Sequence, residues 1–294
     1  MKEAGLDTLI IQWTAYLDAD GAWAAYYPSA LPELRDGFAG DVIGGALQSC
    51  GKAGIRVFIG LADFADWWNL AGLSGDWETV CDVMTAMQAE IYETYAPRYG
   101  DTLYGWYFAP EIDNAAIMKS SLQQIVTGFN KVLDKATALD PALPVLLSPF
   151  YSEYLTNASV TATLPFWQTF LNAAHLRDGD IFCPQDAIGA AWTREESLTK
   201  VWQMYDAAVK SAGADVKLWA NCENFTAAQA GGPFSPPANG LTQNETAPLD
   251  RFIRQMETAS HYVEKIVCFS MNHYYSPFVD EAAYGAYLDY AAQL

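Results

Sequence analysis

The sequence is poor in basic residues: 16 lysines and arginines stand against 35 aspartates and glutamates, and the formal net charge is −19. Such a surface repels nucleic acids and anionic membranes, so we expect neither as a partner. No apolar run reaches the roughly 18 residues that a membrane-spanning helix needs. The apolar content of 51%, in contrast, is typical of a chain that folds around a large core. We expect a single domain over residues 1–294.

Histidine and cysteine are also scarce. The three histidines form no His-x-His or His-Glu-x-x-His pattern, so we expect no metal and no cofactor. The five scattered cysteines do not form a disulfide scaffold. We expect Cys183, Cys222 and Cys268 to be buried thiols in strands, with one disulfide as the alternative. No secretory signal is present, which predicts a cytoplasmic protein, or a secreted or periplasmic one whose leader was removed.

A local pattern that occurs three times predicts a repeating β/α fold. In each copy a cation suits the end of a helix, a glycine is able to adopt the left-handed cap, and a buried strand follows. The copies are Lys2 and Gly5 before residues 8–13, Lys52 and Gly54 before residues 55–61, and Lys210 and Gly213 before residues 216–221.

Apolar runs and helical periodicity extend this alternation along the chain. The predicted strands are 8–13, 55–61, 103–109, 145–149, 180–184, 216–221 and 265–271. The predicted helices are 41–53, 77–98, 117–138, 161–174, 195–212, 249–261 and 281–293. Strands that alternate with helices pair in parallel through right-handed crossovers.

The loop lengths favour a barrel among the α/β folds. The helix-to-strand joints are short, whereas the strand-to-helix connections 14–40, 62–76 and 222–248 are long. This asymmetry is typical of a (β/α)8 TIM barrel, whose functional loops all follow the carboxyl ends of strands. A doubly wound sheet is the alternative, but no Gly-x-Gly-x-x-Gly or phosphate-binding loop follows a strand. Seven strands are visible, so we expect the first barrel strand to be missing from this chain.

Two glutamates are the candidate catalytic residues. Glu111 and Glu223 each follow a buried apolar run, where an ionised side chain is costly unless it has a purpose or a partner. Glycoside hydrolysis needs two carboxyl groups that face each other across the scissile bond. The two positions are roughly opposite each other at a barrel mouth. The alternative is that each is an ordinary loop carboxylate.

Other polar and aromatic residues at the predicted strand ends suggest a saccharide ligand. Aromatic faces stack on a pyranose ring, while amides and carboxylates bind its hydroxyl groups. Core packing is the alternative for about half of the rings, and Asp113 and Asp186 are either ligand-binding or supporting groups. The predicted substrate-binding residues are Trp13, Asp63, Trp67, Trp68, Tyr107, Asp113, Tyr151, Gln185, Asp186, Trp192, Asn221, His273 and Tyr274.

Three segments resemble an uncharacterised bacterial family of glycosidase-like TIM barrels: Tyr107–Asp113, Pro184–Gly189 and Trp219–Glu223. That family is similar to the retaining glycoside hydrolases of clan A, in which the acid/base follows strand four and the nucleophile follows strand seven. The resemblance implies that Glu111 is the acid/base and that Glu223 is the nucleophile. In clan A an asparagine usually precedes the acid, and here Pro110 stands in its place.

The expected function is retaining hydrolysis of a glycosidic bond in an oligosaccharide or glycoside. A carbohydrate-binding protein without catalytic activity, which uses the same cleft, is the alternative. A sugar isomerase or another barrel enzyme is less favoured, because the sequence shows neither a metal cage nor a phosphate site.

Overall fold

The computed structural model describes residues 1–65, 76–118, 122–227 and 244–293. The strands are β1 (Thr8–Ile11), β2 (Ala15–Leu17), β3 (Trp23–Ala25), β4 (Arg35–Asp36), β5 (Arg56–Gly60), β6 (Ala62–Phe64), β7 (Leu103–Phe108), β8 (Val145–Leu147), β9 (Ile181–Phe182), β10 (Lys217–Glu223), β11 (Phe225–Ala227), β12 (Asn244–Thr246) and β13 (Lys265–Phe269).

Seven of the nine α-helices of the described residues lie at or near the positions predicted from periodicity, whereas the four-residue helices Asn114–Ile117 and Met271–Tyr274 were not predicted. They are α1 (Val42–Ala53), α2 (Asp76–Tyr99), α3 (Asn114–Ile117), α4 (Leu122–Leu139), α5 (Val160–Ala173), α6 (Leu198–Val209), α7 (Leu249–Ser260), α8 (Met271–Tyr274) and α9 (Glu281–Ala291). Short 3₁₀ helices cover Lys2–Ala4 and Glu195–Ser197.

The main sheet has seven parallel strands in the order β1-β5-β7-β8-β9-β10-β13. Each strand matches one of the seven apolar runs, so the predicted strand count is confirmed. The chain divides into two compact units. The first unit contains Met1–Glu111, Lys119–Leu147 and Phe170–Ile181; the second contains Ile112–Met118, Ser148–Thr169 and Phe182–Leu294. The single domain expected from the sequence stays a prediction.

The first unit packs helices α1, α2 and α4 around strands β5 and β7. Aromatic rings form its centre: Phe108 lies 5.9 Å from Trp77 and 4.7 Å from Phe129 between ring centroids. Helices α2 and α4 approach closely at Gly128, where an added Cβ would lie 2.2 Å from Trp77 Nε1. A side chain at position 128 would therefore push the two helices apart.

The long loop predicted over residues 14–40 contains three strands, which is a correction. Strands β2, β3 and β4 form a small sheet with β6 in the order β4-β3-β2-β6. The turn between β2 and β3 is closed by Asp18, whose Oδ1 accepts hydrogen bonds from Asp20 N and Ala22 N at 3.0 and 2.8 Å. Gly21 adopts the left-handed φ of 77° in this turn. The strands are too short for their alternation to be recognised in the sequence.

The second unit packs α6 and α7 against β10 and β13. Trp202, Tyr205 and Phe252 are fully or almost fully buried there, and Tyr205 contacts Trp167 at a centroid distance of 5.5 Å. Strands β11 and β12 form an antiparallel pair within the predicted loop 222–248, which corrects that loop as well.

Several boundaries differ from the prediction. The helix predicted over 117–138 is divided: Asp113 caps the short helix α3, and α4 begins at Leu122. Helix α6 ends at Val209, four residues before Gly213, so Gly213 does not cap the helix. Gly5 and Gly54 do adopt the predicted left-handed conformation, with φ of 72° and 63°. The last strand ends at Phe269, and Met271 begins α8.

The five cysteines are free. Cys183 and Cys222 are buried as expected, but Cys268 is half-buried, because it lies on β13, which pairs only with β10 at the end of the strand order. Within the described residues, no helix combines the length and apolar character that crossing a membrane requires.

Candidate functional site

The ends of the predicted strands meet side by side in the second unit. Beyond the regular strands, parallel bridges join Asp113 to Phe150, Phe150 to Gln185, and Gln185 to Asn221. The bridges bring three predicted site residues, Asp113, Gln185 and Asn221, into one row at the carboxyl ends of their strands. This is where the active sites of β/α proteins lie.

Ser148 connects two of these residues. Its Oγ donates to Cys183 O at 2.9 Å and accepts from Asn221 Nδ2 at 3.1 Å. Its carbonyl oxygen accepts from Gln185 Nε2 at 3.0 Å. Asn221 Oδ1 and the nearby Asn224 Oδ1 are buried acceptors without a hydrogen-bond partner in the described part of the chain. Buried acceptors of this kind are costly unless a bound molecule or water satisfies them.

Glu223 is the last residue of β10 and is only 3% exposed. Its Oε2 accepts a hydrogen bond from Ala190 N at 2.7 Å. Gly189 makes this approach possible: an added Cβ would lie 2.5 Å from Phe225 O and 2.8 Å from Glu223 Cβ. The carboxylate is therefore held in one place by a backbone donor and by a residue that must be glycine.

Asp186 holds the backbone of Glu223 through hydrogen bonds. Its Oδ1 accepts from Glu223 N and Ile188 N, both at 3.2 Å, and its Oδ2 accepts from Gln255 Nε2 at 2.6 Å. Gln255 Nε2 also donates to Glu223 O at 3.0 Å. Asp186 is 1% exposed. Both of its oxygens are thus used by the protein, so of the two roles left open, the contacts favour a supporting group.

Burial dominates the electrostatics of this cluster. It raises the pKa of Asp186, although the hydrogen bonds from Gln255, Ile188 and Glu223 act in the opposite direction. Burial also lowers the pKa of Arg251, while the charges of Asp186 and Glu223 raise it. Arg251 donates to Thr226 Oγ1 at 3.0 Å and to Phe225 O. The charge of Arg251 therefore acts on both carboxyl groups, and its hydrogen bonds hold the strand that follows Glu223.

The loop after Asp186 has a strained backbone. Ala187 and Ala191 adopt positive φ values of 56° and 59°, which residues with a Cβ rarely do. The loop is closed by hydrogen bonds from Trp192 N and Thr193 N to Ala187 O at 2.9 and 3.1 Å. This conformation directs Ala190 N at the Glu223 carboxylate.

Replacing Ala191 by glycine is expected to stabilise the protein by about 0.5–1 kcal/mol, because glycine adopts φ of 59° without the steric cost. Ala142→Gly is the matched control: Ala142 is also exposed but has no positive φ, so this change is expected to destabilise slightly. Thermal unfolding of both variants tests this. A lower midpoint for Ala191→Gly would contradict the strain argument.

Three further predicted residues are buried and already used. Asp113 Oδ1 accepts from Ala116 N at 2.7 Å and caps α3. The Tyr151 hydroxyl group donates to Ala158 O at 3.1 Å, and Tyr151 as a whole is 2% exposed. Tyr107 is 6% exposed on β7. Tyr107 and Tyr151 offer little ring surface to a ligand and contribute mainly to packing.

The remaining aromatic candidates of the second unit are accessible. Trp192 is half-buried and lies 6.0 Å from Phe150 between ring centroids. Tyr274 stacks on Phe225 at 5.3 Å and 27°, and its hydroxyl group accepts from Asn244 Nδ2 at 3.2 Å. His273 is exposed, and its Nδ1 shares a hydrogen bond of 2.7 Å with Ser270 Oγ.

In the first unit, Trp13 and Asp63 are both half-buried. Both lie next to Tyr16: the ring of Trp13 is 5.4 Å from it, and Asp63 pairs with it in the small sheet. Trp67 and Trp68 lie outside the described residues. Glu111 is half-buried and follows β7 at the end of the first unit. The expected approach of Glu111 to Glu223, which belongs to the second unit, stays a prediction.

Sequence reasoning missed several residues of the site. Gly189, Ala190 and Gln255 hold Glu223, and Tyr16 and Tyr26 accompany Trp13. One of them had a signal: Gln255 lies three residues after Phe252 and four before Ala259, on the buried face of α7. A polar residue on the apolar stripe of a helix indicates a buried hydrogen-bonding role.

No cluster of three or more histidine, cysteine, aspartate or glutamate side chains with the geometry to hold a metal ion occurs in the described parts of the chain.

Comparison with known proteins places this geometry in context. The model of one family, described as "Domain of unknown function (DUF4434)", matches residues 1–281. No curated protein is significantly similar to the chain in sequence.

Solved structures are similar over most or all of the chain. A "putative alpha-L-fucosidase" from Bacteroides thetaiotaomicron has a TM-score of 0.78 at 18% identity, covering 100% of this chain and 83% of its own. An endo-1,4-beta-D-mannanase from Thermotoga petrophila, solved with maltose and glycerol, has a TM-score of 0.58 at 14% identity. The match covers 100% of this chain and 93% of the mannanase chain. An intracellular xylanase from Thermoanaerobacterium saccharolyticum has a TM-score of 0.50 at 11% identity, and the match covers 90% of this chain and 77% of the xylanase chain.

These likenesses establish the fold. The neighbours are TIM-barrel glycosidases, so the predicted α/β TIM-barrel class, with seven strands in this chain, is confirmed. The predicted resemblance to an uncharacterised family is confirmed as well, by the match to DUF4434. At identities below 20%, the likeness carries no information on which residues react.

Proposed function

The chain belongs to the DUF4434 family, and from that premise we propose that it hydrolyses a glycosidic bond with retention of the anomeric configuration. The observation that carries the proposal is the placement of Glu223. It is a buried carboxylate at the carboxyl end of a parallel strand, held by Ala190 N at 2.7 Å. A group that must attack a sugar carbon needs this kind of fixed position.

In the proposed mechanism, Glu223 attacks the anomeric carbon while Glu111 protonates the leaving oxygen. A covalent glycosyl ester forms on Glu223, and the alcohol leaves. Glu111 then removes a proton from water, which attacks the same carbon and releases Glu223. The mechanism requires the two carboxyl groups to lie about 5–5.5 Å apart.

Groups around Glu223 suit the sugar that this step requires. Asn221 is half-buried and its Oδ1 has no partner among the described residues, which suits a hydroxyl donor of a sugar. Trp192 and Tyr274 present accessible rings in the same unit. The fold likeness to glycosidases that act on polysaccharides supports the same substrate class.

The test is a panel of aryl glycosides of different sugars and both anomeric forms. We expect turnover of at least one, and ¹H NMR of the first product is expected to show the anomeric configuration of the substrate. A product of the opposite configuration would mean that Glu223 acts as a base toward water and not as a nucleophile. Saccharide binding without turnover would favour the alternative function, a carbohydrate-binding protein without catalytic activity. Pro110, which stands where clan A enzymes usually have an asparagine, favours the same alternative.

A further inference from the structure

The small sheet of the first unit has one half-exposed face. Tyr16 on β2 pairs with Ala24 on β3 on one side and with Asp63 on β6 on the other. Tyr26 directly follows β3, two residues after Ala24, and therefore shares this face. All four residues are half-buried, whereas Ala15, Ala25 and Ala62, on the opposite face, are buried. Across the strands, the face thus presents Ala24, Tyr16 and Asp63 in that order, with Tyr26 two residues after Ala24.

Trp13 completes the cluster. Its ring lies 5.4 Å from Tyr16 at an interplanar angle of 40° and 5.1 Å from Tyr26 at 66°. Neither pair is stacked face to face, so neither contact covers a whole ring face. Each of the three residues is half-buried, which leaves ring surface in contact with solvent. Partly exposed rings of this kind offer apolar surface against which the apolar face of a ligand can pack.

Asp63 provides a polar group beside these rings. Its Oδ1 accepts from the neighbouring Phe64 N at 2.9 Å, and this is its one hydrogen bond within the described part of the chain. Burial raises the pKa of its carboxyl group, with the Phe64 bond acting in the opposite direction. A partly desolvated carboxyl group is a strong acceptor for a hydroxyl donor.

We propose that Trp13, Tyr16 and Tyr26 form a subsite that binds an uncharged pyranose unit, with Asp63 accepting a hydrogen bond from one of its hydroxyl groups. The inference rests on the proposed function, because it identifies the substrate class of the same enzyme. The apolar face of a pyranose matches the ring surface, and its hydroxyl groups match Asp63.

The charge around the subsite selects against acidic sugars. Asp63 and Asp18 both act electrostatically on Tyr16 and raise its pKa together with burial, which is the largest cause. The formal net charge of the chain is −19. A uronic acid or a sulfated sugar would therefore be repelled locally and over a longer range, whereas a neutral sugar would not.

The experiment measures saccharide affinity by calorimetry in the Glu223→Gln background, so that the ligand is not consumed, and in the wild type for ligands that it does not cleave. The probes are neutral gluco-, manno- and xylo-oligosaccharides and an oligogalacturonide of matched length. We expect Tyr16→Ala and Tyr26→Ala each to weaken binding of the neutral ligand about tenfold. The oligogalacturonide is expected to bind at least about tenfold more weakly than the neutral ligand.

The control is Tyr284→Ala, which removes a half-buried tyrosine from α9 and is expected to leave the affinity unchanged. Asp63→Asn keeps the shape of the side chain and serves as the second test if a tyrosine variant does not fold. We expect Asp63→Asn to weaken binding of the neutral oligosaccharide several-fold and to reduce the discrimination against the oligogalacturonide. Unchanged affinity in the tyrosine and Asp63 variants, with intact binding in the parent protein, would overturn the subsite and leave the proposed function standing. A wild type that neither binds nor cleaves any saccharide would overturn both.

Discussion

Replacing Glu223 by glutamine is expected to lower kcat by about 10³-fold or more while the protein stays folded. Glutamine has the size of glutamate, and its amide oxygen is able to accept the hydrogen bond that Ala190 N donates at 2.7 Å. An amide, however, is not a nucleophile toward an anomeric carbon. A 10³-fold loss corresponds to about 4 kcal/mol of transition-state stabilisation.

Two companion variants make this result specific. Glu257→Gln removes an exposed carboxylate from α7 and is expected to leave kcat unchanged. Glu111→Gln is expected to slow substrates with poor leaving groups by about 10²- to 10⁴-fold, but to affect the first step little when the leaving group needs no proton. Equal turnover by the wild type and Glu223→Gln would eliminate Glu223 as the nucleophile.

Replacing Asp186 by alanine is expected to lower the free energy of unfolding by about 3 kcal/mol. The change leaves Glu223 N, Ile188 N and Gln255 Nε2 without the acceptor that they share. Each unpaired buried donor costs about 1–3 kcal/mol, and the release of a buried carboxylate offsets part of the sum. Because Asp186 bonds the backbone of Glu223, we also expect kcat to fall at least about tenfold with little change in KM.

The controls for Asp186→Ala separate its network from a general loss of charge. Asp215→Ala removes an exposed carboxylate that bonds Lys217 at 2.8 Å, and a change below about 0.5 kcal/mol is expected. A double-mutant cycle with Gln255→Met should give a coupling energy of about 1–2 kcal/mol, because the two side chains are in direct contact. A coupling near zero would show that the contact does not stabilise the fold. Urea unfolding provides the free energies.

Asp186 is also expected to make the stability of the protein depend on pH. Burial raises the pKa of Asp186 from 3.8 to about 6. Between these values the folded chain holds a proton that the unfolded chain has released, so the contribution of Asp186 to the free energy of unfolding falls as the pH rises. The decrease is expected between about pH 4 and pH 6, with no further change above. Asp186→Asn does not titrate, and its curve is expected to lack this decrease; parallel curves for the two proteins would refute the assignment.

Much of the fold was predictable from the sequence because its signals are local. The cation, glycine and apolar run at Lys52, Gly54 and 55–61 lie within ten residues of each other, and the structure confirms the helix end, the left-handed glycine and β5. The same pattern at Gly213 was wrong about the cap, because α6 already ends at Val209, four residues before the glycine. Helix ends depend on tertiary contacts more than on one residue.

The site was predictable only in part for the same reason. Glu223 was found because it follows a strand directly. The role of Asp186 was left open, because the sequence does not show that Gln255, 69 residues away, bonds its carboxylate. Tyr16 and Tyr26 were missed because Tyr16 lies in a strand of three residues and Tyr26 directly follows another. The pairing of such short strands is visible only in the folded sheet.

The sequence alone determined the alternation of strands and helices, the parallel sheet, and the acidic and aromatic residues at the strand ends. Hydrophobic periodicity and turn chemistry act over a few residues, so they can be read directly from the chain. The folded structure was needed to show which groups hold Glu223, which tyrosines share a face with Asp63, and which aromatic residues are buried. These contacts join segments far apart in the chain, and their strength depends on burial and exact geometry, which no local pattern records.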